Sequence, residues 1–173
     1  PIIAPQSSTS FVDPMTGRTV AWESMATFNP AAIAKDGKVN VLYRAEEKLG
    51  EKQIEGHTSR IWLAISTDGF SFEREEEPIF YPKDDSQKEF EWTGGIEDPR
   101  IVETKEGLYV LTYTQWNRDV PRLAVATSKD LRNWEKHGPI FKDWKDGKYH
   151  NTESKSEAIV TELKEGKLTA AKI

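Results

Sequence analysis

The sequence predicts an all-β chain, and three observations carry that expectation: a four-strand pattern that recurs, turn residues between the strands, and no long apolar stripe of helical period with caps. The first unit opens with Asn29-Pro30-Ala31-Ala32-Ile33, turns at Lys35-Asp36-Gly37-Lys38, and returns through Val39-Asn40-Val41-Leu42-Tyr43-Arg44. In that return Val39, Val41 and Tyr43 alternate onto one face, as a half-buried strand requires. Ser59 to Ser66 follows, then the turn Thr67-Asp68-Gly69, Phe70 to Glu73, and Pro78-Ile79-Phe80. The second unit repeats the order: Asp98-Pro99-Arg100-Ile101-Val102, Lys105-Glu106-Gly107, Leu108 to Tyr113, Pro121 to Ser128, Asp130, Asn133-Trp134-Glu135 and Pro139-Ile140-Phe141. Asp68 and Asp130 stand 62 positions apart, and Pro78 and Pro139 stand 61 apart. A third copy begins at Glu157-Ala158-Ile159-Val160, turns at Lys164-Glu165-Gly166-Lys167 and stops at Ile173.

Four strands per unit, repeated, predict a β-propeller with blades at about 27–80 and 96–141 and an incomplete one at 154–173. A β-sandwich is the alternative, but sandwiches do not ordinarily repeat a four-strand unit. Two and a half blades leave strand edges and an apolar blade face uncovered. The expectation is therefore that the chain is part of a protein about twice as long.

Composition narrows the function. Lys and Arg are interspersed with Asp and Glu at a net charge of −5, with no basic stripe for phosphates, so no nucleic-acid partner is expected. No apolar run approaches the ~20 residues of a membrane helix, and no charged leader precedes an apolar segment, so neither a membrane span nor a signal peptide is expected within these residues. Cysteine is absent, and His57, His137 and His150 match no metal-ligand spacing; no metal is expected. Six Trp, five Tyr and seven Phe suit an all-β core and also the apolar faces of sugar rings.

The segment Trp92-Thr93-Gly94-Gly95-Ile96-Glu97-Asp98-Pro99-Arg100 is the most unusual. Its glycines admit close approach of a ligand or strand, and Pro99 is expected to push Asp98 towards an extended conformation at a strand mouth near the propeller axis. Strict alternation would turn Glu97 to the opposite face and bring Arg100 onto the face of Asp98. Two meanings stay open on these residues alone: a proton-donating carboxyl, or an Asp98–Arg100 ion pair fastening a blade entrance. In the first blade the matching position is Asn29, with Arg44 ending the next strand. Both suit sugar hydroxyls, and both would equally satisfy loop backbone.

The strings Phe28-Asn29-Pro30-Ala31-Ala32, Leu42-Tyr43-Arg44-Ala45-Glu46, Ser59-Arg60-Ile61-Trp62-Leu63-Ala64, Gly94-Gly95-Ile96-Glu97-Asp98-Pro99-Arg100 and Ser128-Lys129-Asp130-Leu131 resemble, in this order, glycoside hydrolase family 130. The similarity runs from about Ile3 to the end. It implies a five-bladed propeller, of which this chain would cover about two and a half blades as the N-terminal portion. It also implies inverting action on β-mannosides by phosphorylases and some hydrolases. The resemblance gives Asp98 the general-acid role, with the proton passing through a sugar hydroxyl, and gives Asn29 and Arg44 contact with the mannosyl unit. Arg60 matches a family arginine and is carried with Arg100 as a substrate-binding candidate.

Inverting cleavage by water needs a second carboxylate as base, whereas phosphate needs cationic contacts instead. Arg118, Lys136 and Lys155 are the candidate phosphate contacts, although each also reads as a solvated surface charge. The wording Trp134-Glu135-Lys136-His137-Gly138 lacks the Arg common in the phosphorylases and resembles the hydrolytic branch, including enzymes acting on β-1,2-linked mannose. Hydrolysis is thus the expected reaction, with phosphorolysis releasing mannose 1-phosphate as its alternative and a non-catalytic carbohydrate-binding propeller as another. No cofactor is expected beyond inorganic phosphate as co-substrate of a phosphorylase. The expected partners are a β-mannoside oligosaccharide and the C-terminal half of the propeller, without which the fragment should be inactive. Homo-oligomerisation is left open, as is the choice between cytoplasm and periplasm.

Overall fold

The computed structural model describes residues 2–47, 56–164 and 166–171. Glu165 of the third turn and Ile173, where the third repeat stops, lie outside the described residues. Twelve strands and one helical turn occur among them: β1 (Phe11–Val12), β2 (Thr19–Val20), β3 (Ala26–Lys35), β4 (Lys38–Glu46), β5 (Ser59–Ser66), β6 (Glu73–Arg74), α1 (Lys88–Glu91), β7 (Gly95–Glu103), β8 (Tyr109–Trp116), β9 (Pro121–Ser128), β10 (Glu135–Pro139), β11 (Thr161–Lys164) and β12 (Lys167–Ala170).

The architecture is all-β and propeller-type. Strands β3 to β6 form one antiparallel blade and β7 to β10 a second, in the order β10-β9-β8-β7-β5-β4-β3 with β6 on β5. The first strands of the two blades, β3 and β7, lie against each other. The hairpins follow from their turn residues. Asp36 and Gly37, with φ of 52° and 72°, make the two-residue loop whose left-handed pair matches the strand twist, setting Lys35 opposite Lys38. The repeated aspartates cap equivalent turns. Asp68 Oδ1 accepts the backbone N–H of Phe70 and Ser71 at 2.8 Å each, and Asp130 Oδ1 accepts those of Arg132 and Asn133 at 2.8 and 2.7 Å. Four backbone donors thus explain a spacing visible in the sequence.

Alternation along β4 and β5 divides the core. Leu42, Ile61 and Leu63 face the second blade, where they meet Ile96, Leu111, Tyr113 and Leu131. Tyr43, Ala45, Trp62 and Ala64 face the other way, against Phe11 and Trp22 of the N-terminal segment, with Trp22 and Trp62 stacked at 7°. Each fully buried Leu, Ile or Phe contributes roughly 1.5–3 kcal/mol. The blades are therefore held mainly by apolar burial.

Between the blades the backbone must come very close. Ser59 and Gly95 form a single parallel bridge, and the Ser59 N–H donates to Gly94 O at 3.0 Å. A Cβ on Gly95, whose φ is 106°, would lie 2.2 Å from Ser59 O, and one on Gly94 would lie 2.5 Å from Trp116 O. No side chain fits at either position. This junction fixes the start of β7, and so the placement of Glu97 and Asp98.

Candidate active site

Each blade's first strand carries the same defect. In β3, Phe28 pairs with Arg44 and Ala31 with Leu42, so Asn29 and Pro30 oppose one residue. In β7, Glu97 pairs with Thr114 and Arg100 with Thr112, so Asp98 and Pro99 oppose one residue. Both are one-residue bulges. Proline has no N–H for the ladder and is admitted to a strand at such places. Asn29 and Asp98 take φ of 45° and 49°, the left-handed conformation that Asn and Asp tolerate best after Gly. The expectation that Pro99 holds Asp98 extended is thus corrected, because the bulge sets its backbone.

The two bulges meet. Asn29 Nδ2 donates to Asp98 Oδ1 at 2.6 Å, and Arg44 Nη1 donates to the same oxygen at 3.0 Å. Arg44 Nη2 donates to Glu46 Oε1 at 2.7 Å and to Glu97 Oε1 at 2.9 Å, while its Nε donates to Ser59 Oγ at 3.0 Å. The Phe28 ring lies under the guanidinium, 4.6 Å from its centroid. Glu97 is 7% and Asp98 6% exposed, so all this charge is largely withdrawn from water. Lys155 Nζ, about half exposed, adds a 3.4 Å contact to Glu97 Oε2. A cavity of about 630 Å³ begins beside the bulges, lined by Pro30, Ala32, Ala34, Arg100, Val102 and Leu168 among others.

Glu97 and Glu46 are the members that sequence alternation missed. The extra residue of the bulge brings Glu97 and Asp98 to the same arginine, where strict alternation would separate them. Two signals were available: a proline inside a strand pattern, which implies a bulge, and Glu46 two positions after Arg44 on one face.

The two adjacent carboxyls are displaced in opposite directions. Burial acts to raise Asp98, but the Asn29 amide and the Arg44 guanidinium outweigh it and hold the group below the usual aspartate value. Burial is also the largest influence on Glu97, which stays above its ordinary value although Arg44 and Lys155 pull it down. The Asp98 charge adds to that rise.

The remaining predicted residues fall elsewhere or play other parts. Arg100 does not pair with Asp98; the bulge turns it aside, and its Nη1 donates to Pro99 O at 2.7 Å. Arg60 is 1% exposed on the opposite face of β5 from Ser59, bonded to Glu47, 3.2 Å from Asp13 and over the Phe11 ring. Lys136 is a buried ion-pair partner instead of a surface charge, with its Nζ 2.5 Å from Glu91 and 3.1 Å from Asp85. Arg118 is exposed on the β8–β9 turn and donates to His57 O at 3.1 Å. Of the three predicted phosphate contacts, Lys155 alone touches the Asp98 cluster.

The chain matches a family profile described as beta-1,4-mannooligosaccharide phosphorylase over residues 8–172. It is 35% identical over 123 residues to a 1,2-beta-oligomannan phosphorylase of Thermoanaerobacter sp. (strain X514), covering 69% of this chain and 40% of that protein. A beta-1,2-mannobiose phosphorylase of the same organism is 34% identical over 124 residues, covering 67% and 39%. One solved structure superposes with a TM-score of 0.96 at 55% identity, covering all of this chain and 48% of its own. It is described under the finding that the family of mannoside phosphorylases contains glycoside hydrolases that target beta-1,2 mannosidic linkages in Candida mannan. The chain thus spans about half the length of the proteins it matches. With nearly every residue inside the family profile, the chain belongs to glycoside hydrolase family 130.

Proposed function

We propose that the whole protein cleaves β-mannosidic bonds, β-1,2 linkages foremost, with inversion at the anomeric carbon, and that Asp98 supplies the proton. The observation that carries this is the meeting of Asn29, Arg44 and Asp98 across two bulged strands, with Pro30 of the first bulge lining a cavity of about 630 Å³. Asn29 and Arg44 bind hydroxyls of the mannosyl unit. As those hydroxyls take over the Asn29 and Arg44 donors, Asp98 loses the bonds that favour its charged form and takes up a proton. It passes that proton to a sugar hydroxyl, which gives its own to the glycosidic oxygen while the C1–O bond breaks. The sheet closes into a five-bladed propeller in the full protein.

Phosphate is the acceptor favoured by the two curated relatives above 30% identity, each named a phosphorylase. A phosphate oxygen attacks C1 from the face opposite the leaving group, giving mannose 1-phosphate and a shortened oligosaccharide. Among the described residues, Lys155, half exposed beside Glu97, is a cation available to that anion. Hydrolysis, expected from the sequence wording, remains a second reading, because the solved relative at 55% identity is described with hydrolases of β-1,2 linkages. A panel of mannobioses given to the full-length protein with and without phosphate tests both. Mannose 1-phosphate formed only with phosphate supports phosphorolysis, free mannose at equal rates supports hydrolysis, and no cleavage of any β-mannoside refutes the proposal.

A further inference from the structure

We propose that Glu97 is a positioning residue for the acid: it engages one arm of Arg44 and so prevents that guanidinium from closing fully on Asp98. The inference rests on the proton-donor role proposed for Asp98. An arginine devoted to one carboxylate commonly grips it with two parallel N–H bonds, a strong arrangement that fixes the carboxylate in its charged form. Here Nη1 alone reaches Asp98, at 3.0 Å, while Nη2 is shared between Glu97 at 2.9 Å and Glu46 at 2.7 Å. The Asn29 donor falls on the same Asp98 oxygen as Nη1, so a proton on this carboxyl has to sit on Oδ2.

Among the described residues, few charged and titratable groups face Glu97. From β4 come Arg44 and Glu46, from its own strand Asp98, and from the segment before β11 Lys155 at 3.4 Å. Ser59 of β5 and Asn29 of β3 act indirectly, through Arg44 and Asp98. Three carboxyls against one guanidinium and one half-exposed ammonium leave an excess of negative charge. Such a site favours retaining a proton. The opposite displacement of the two adjacent carboxyls accords with their competition for one cation. Acting through Arg44, Glu97 keeps Asp98 weak enough as an anion to be protonated when sugar binds.

The test is the pH dependence of kcat, which reports the acid in the substrate complex, for mannobiose cleavage by the full-length protein and its Glu97→Gln and Glu97→Asp variants. Losing the Glu97 charge leaves Nη2 to Glu46 alone and strengthens the pull of Arg44 on Asp98, which then holds its proton less well. The high-pH limb of the Gln variant moves down by about one unit, a roughly tenfold loss at pH values above it. The Asp variant, which keeps the charge, recovers most of that shift. Activity lowered equally at every pH, with the limb unmoved, makes Glu97 a packing residue and overturns the proposal. For a Gln variant too slow to titrate, calorimetry of mannobiose binding in buffers of different ionisation enthalpy counts the protons taken up. Uptake smaller than wild type near the wild-type limb supports the proposal, and equal uptake overturns it. A wild-type protein that cleaves no β-mannoside fails at the earlier step, the acid role of Asp98.

Discussion

Asp98 and Asn29 hold the same position in consecutive blades, one a carboxyl and the other its amide isostere. That difference makes a pair in which the amide donates and the carboxylate accepts, at 2.6 Å. Asn29→Ala removes a donor that favours the charged form of Asp98. The expected result is a higher KM and a high-pH limb moved upward, opposite in direction to Glu97→Gln. A pH–rate profile of the full-length variant checks it, and a limb moved downward refutes the pairing argument. Asp98→Asn keeps the shape and removes the dissociable proton, so kcat should fall by about 10²–10⁴ while the melting temperature stays within a few degrees of wild type. An Asn variant retaining more than a tenth of the wild-type rate excludes Asp98 as the acid. Asn29, Arg44 and Asp98 could be picked from the sequence because a repeat and ordered strings marked their positions. Glu97 escapes the alternation rule, which holds for regular strands, because it sits where the strand gains a residue, and Pro99 is the sequence's sign of that bulge. Arg60 carried a matching string yet lies one residue off the face that bears Ser59, which sends it into an ion-paired layer against the N-terminal segment.

At the scale of elements, the start of β7 depends on two glycines wedged against neighbouring backbone. Gly95→Ala would set a methyl carbon 2.2 Å from Ser59 O and force an L side chain onto a φ of 106°. Loss of about 3 kcal/mol of stability is expected. Because Asp98 lies three residues on, substrate affinity should fall in molecules that still fold. Denaturant unfolding and mannobiose calorimetry measure the two effects, and a variant within 0.5 kcal/mol of wild type, a margin typical of harmless surface changes, would show that the junction is looser than its geometry. Most strands were legible because apolar alternation and Asp- or Gly-bearing turns recur in both blades. The N-terminal hairpin β1–β2 and the turn α1 were not. Their two- and four-residue lengths are too short to display a period, and tertiary contacts such as Phe11 on Tyr81 and the burial of Phe90 and Glu91 determine them.

Across the whole molecule, a buried charged layer ties the connection between the blades to the last strand of the second. Glu91 on α1 is fully buried and meets Lys136 of β10 at 2.5 Å, with Gln115 of β8 donating at 3.0 Å. Burial is the main cause that pushes the Glu91 carboxyl up to about 7, against the pull of Lys136. Between the ordinary value of 4.5 and about 7 the folded chain holds a proton that the unfolded chain has released. Folding stability contributed by this group is therefore present at low pH and declines as pH rises through that window. Lys136→Met keeps the aliphatic stem and removes the charge that makes ionised Glu91 tolerable. The expected cost is about 3 kcal/mol at pH 8, where Glu91 must ionise without its partner, as for other buried pairs broken on one side. At pH 5.5 Glu91 takes up a proton and the cost should shrink to a small fraction of that. Denaturant midpoints of the full-length protein and the variant at both pH values measure the difference. Equal penalties would mean that Lys136 acts by packing alone, over the Phe80 ring. A penalty confined to alkaline pH would show that this lysine, expected from sequence to meet phosphate or solvent, is occupied inside the fold.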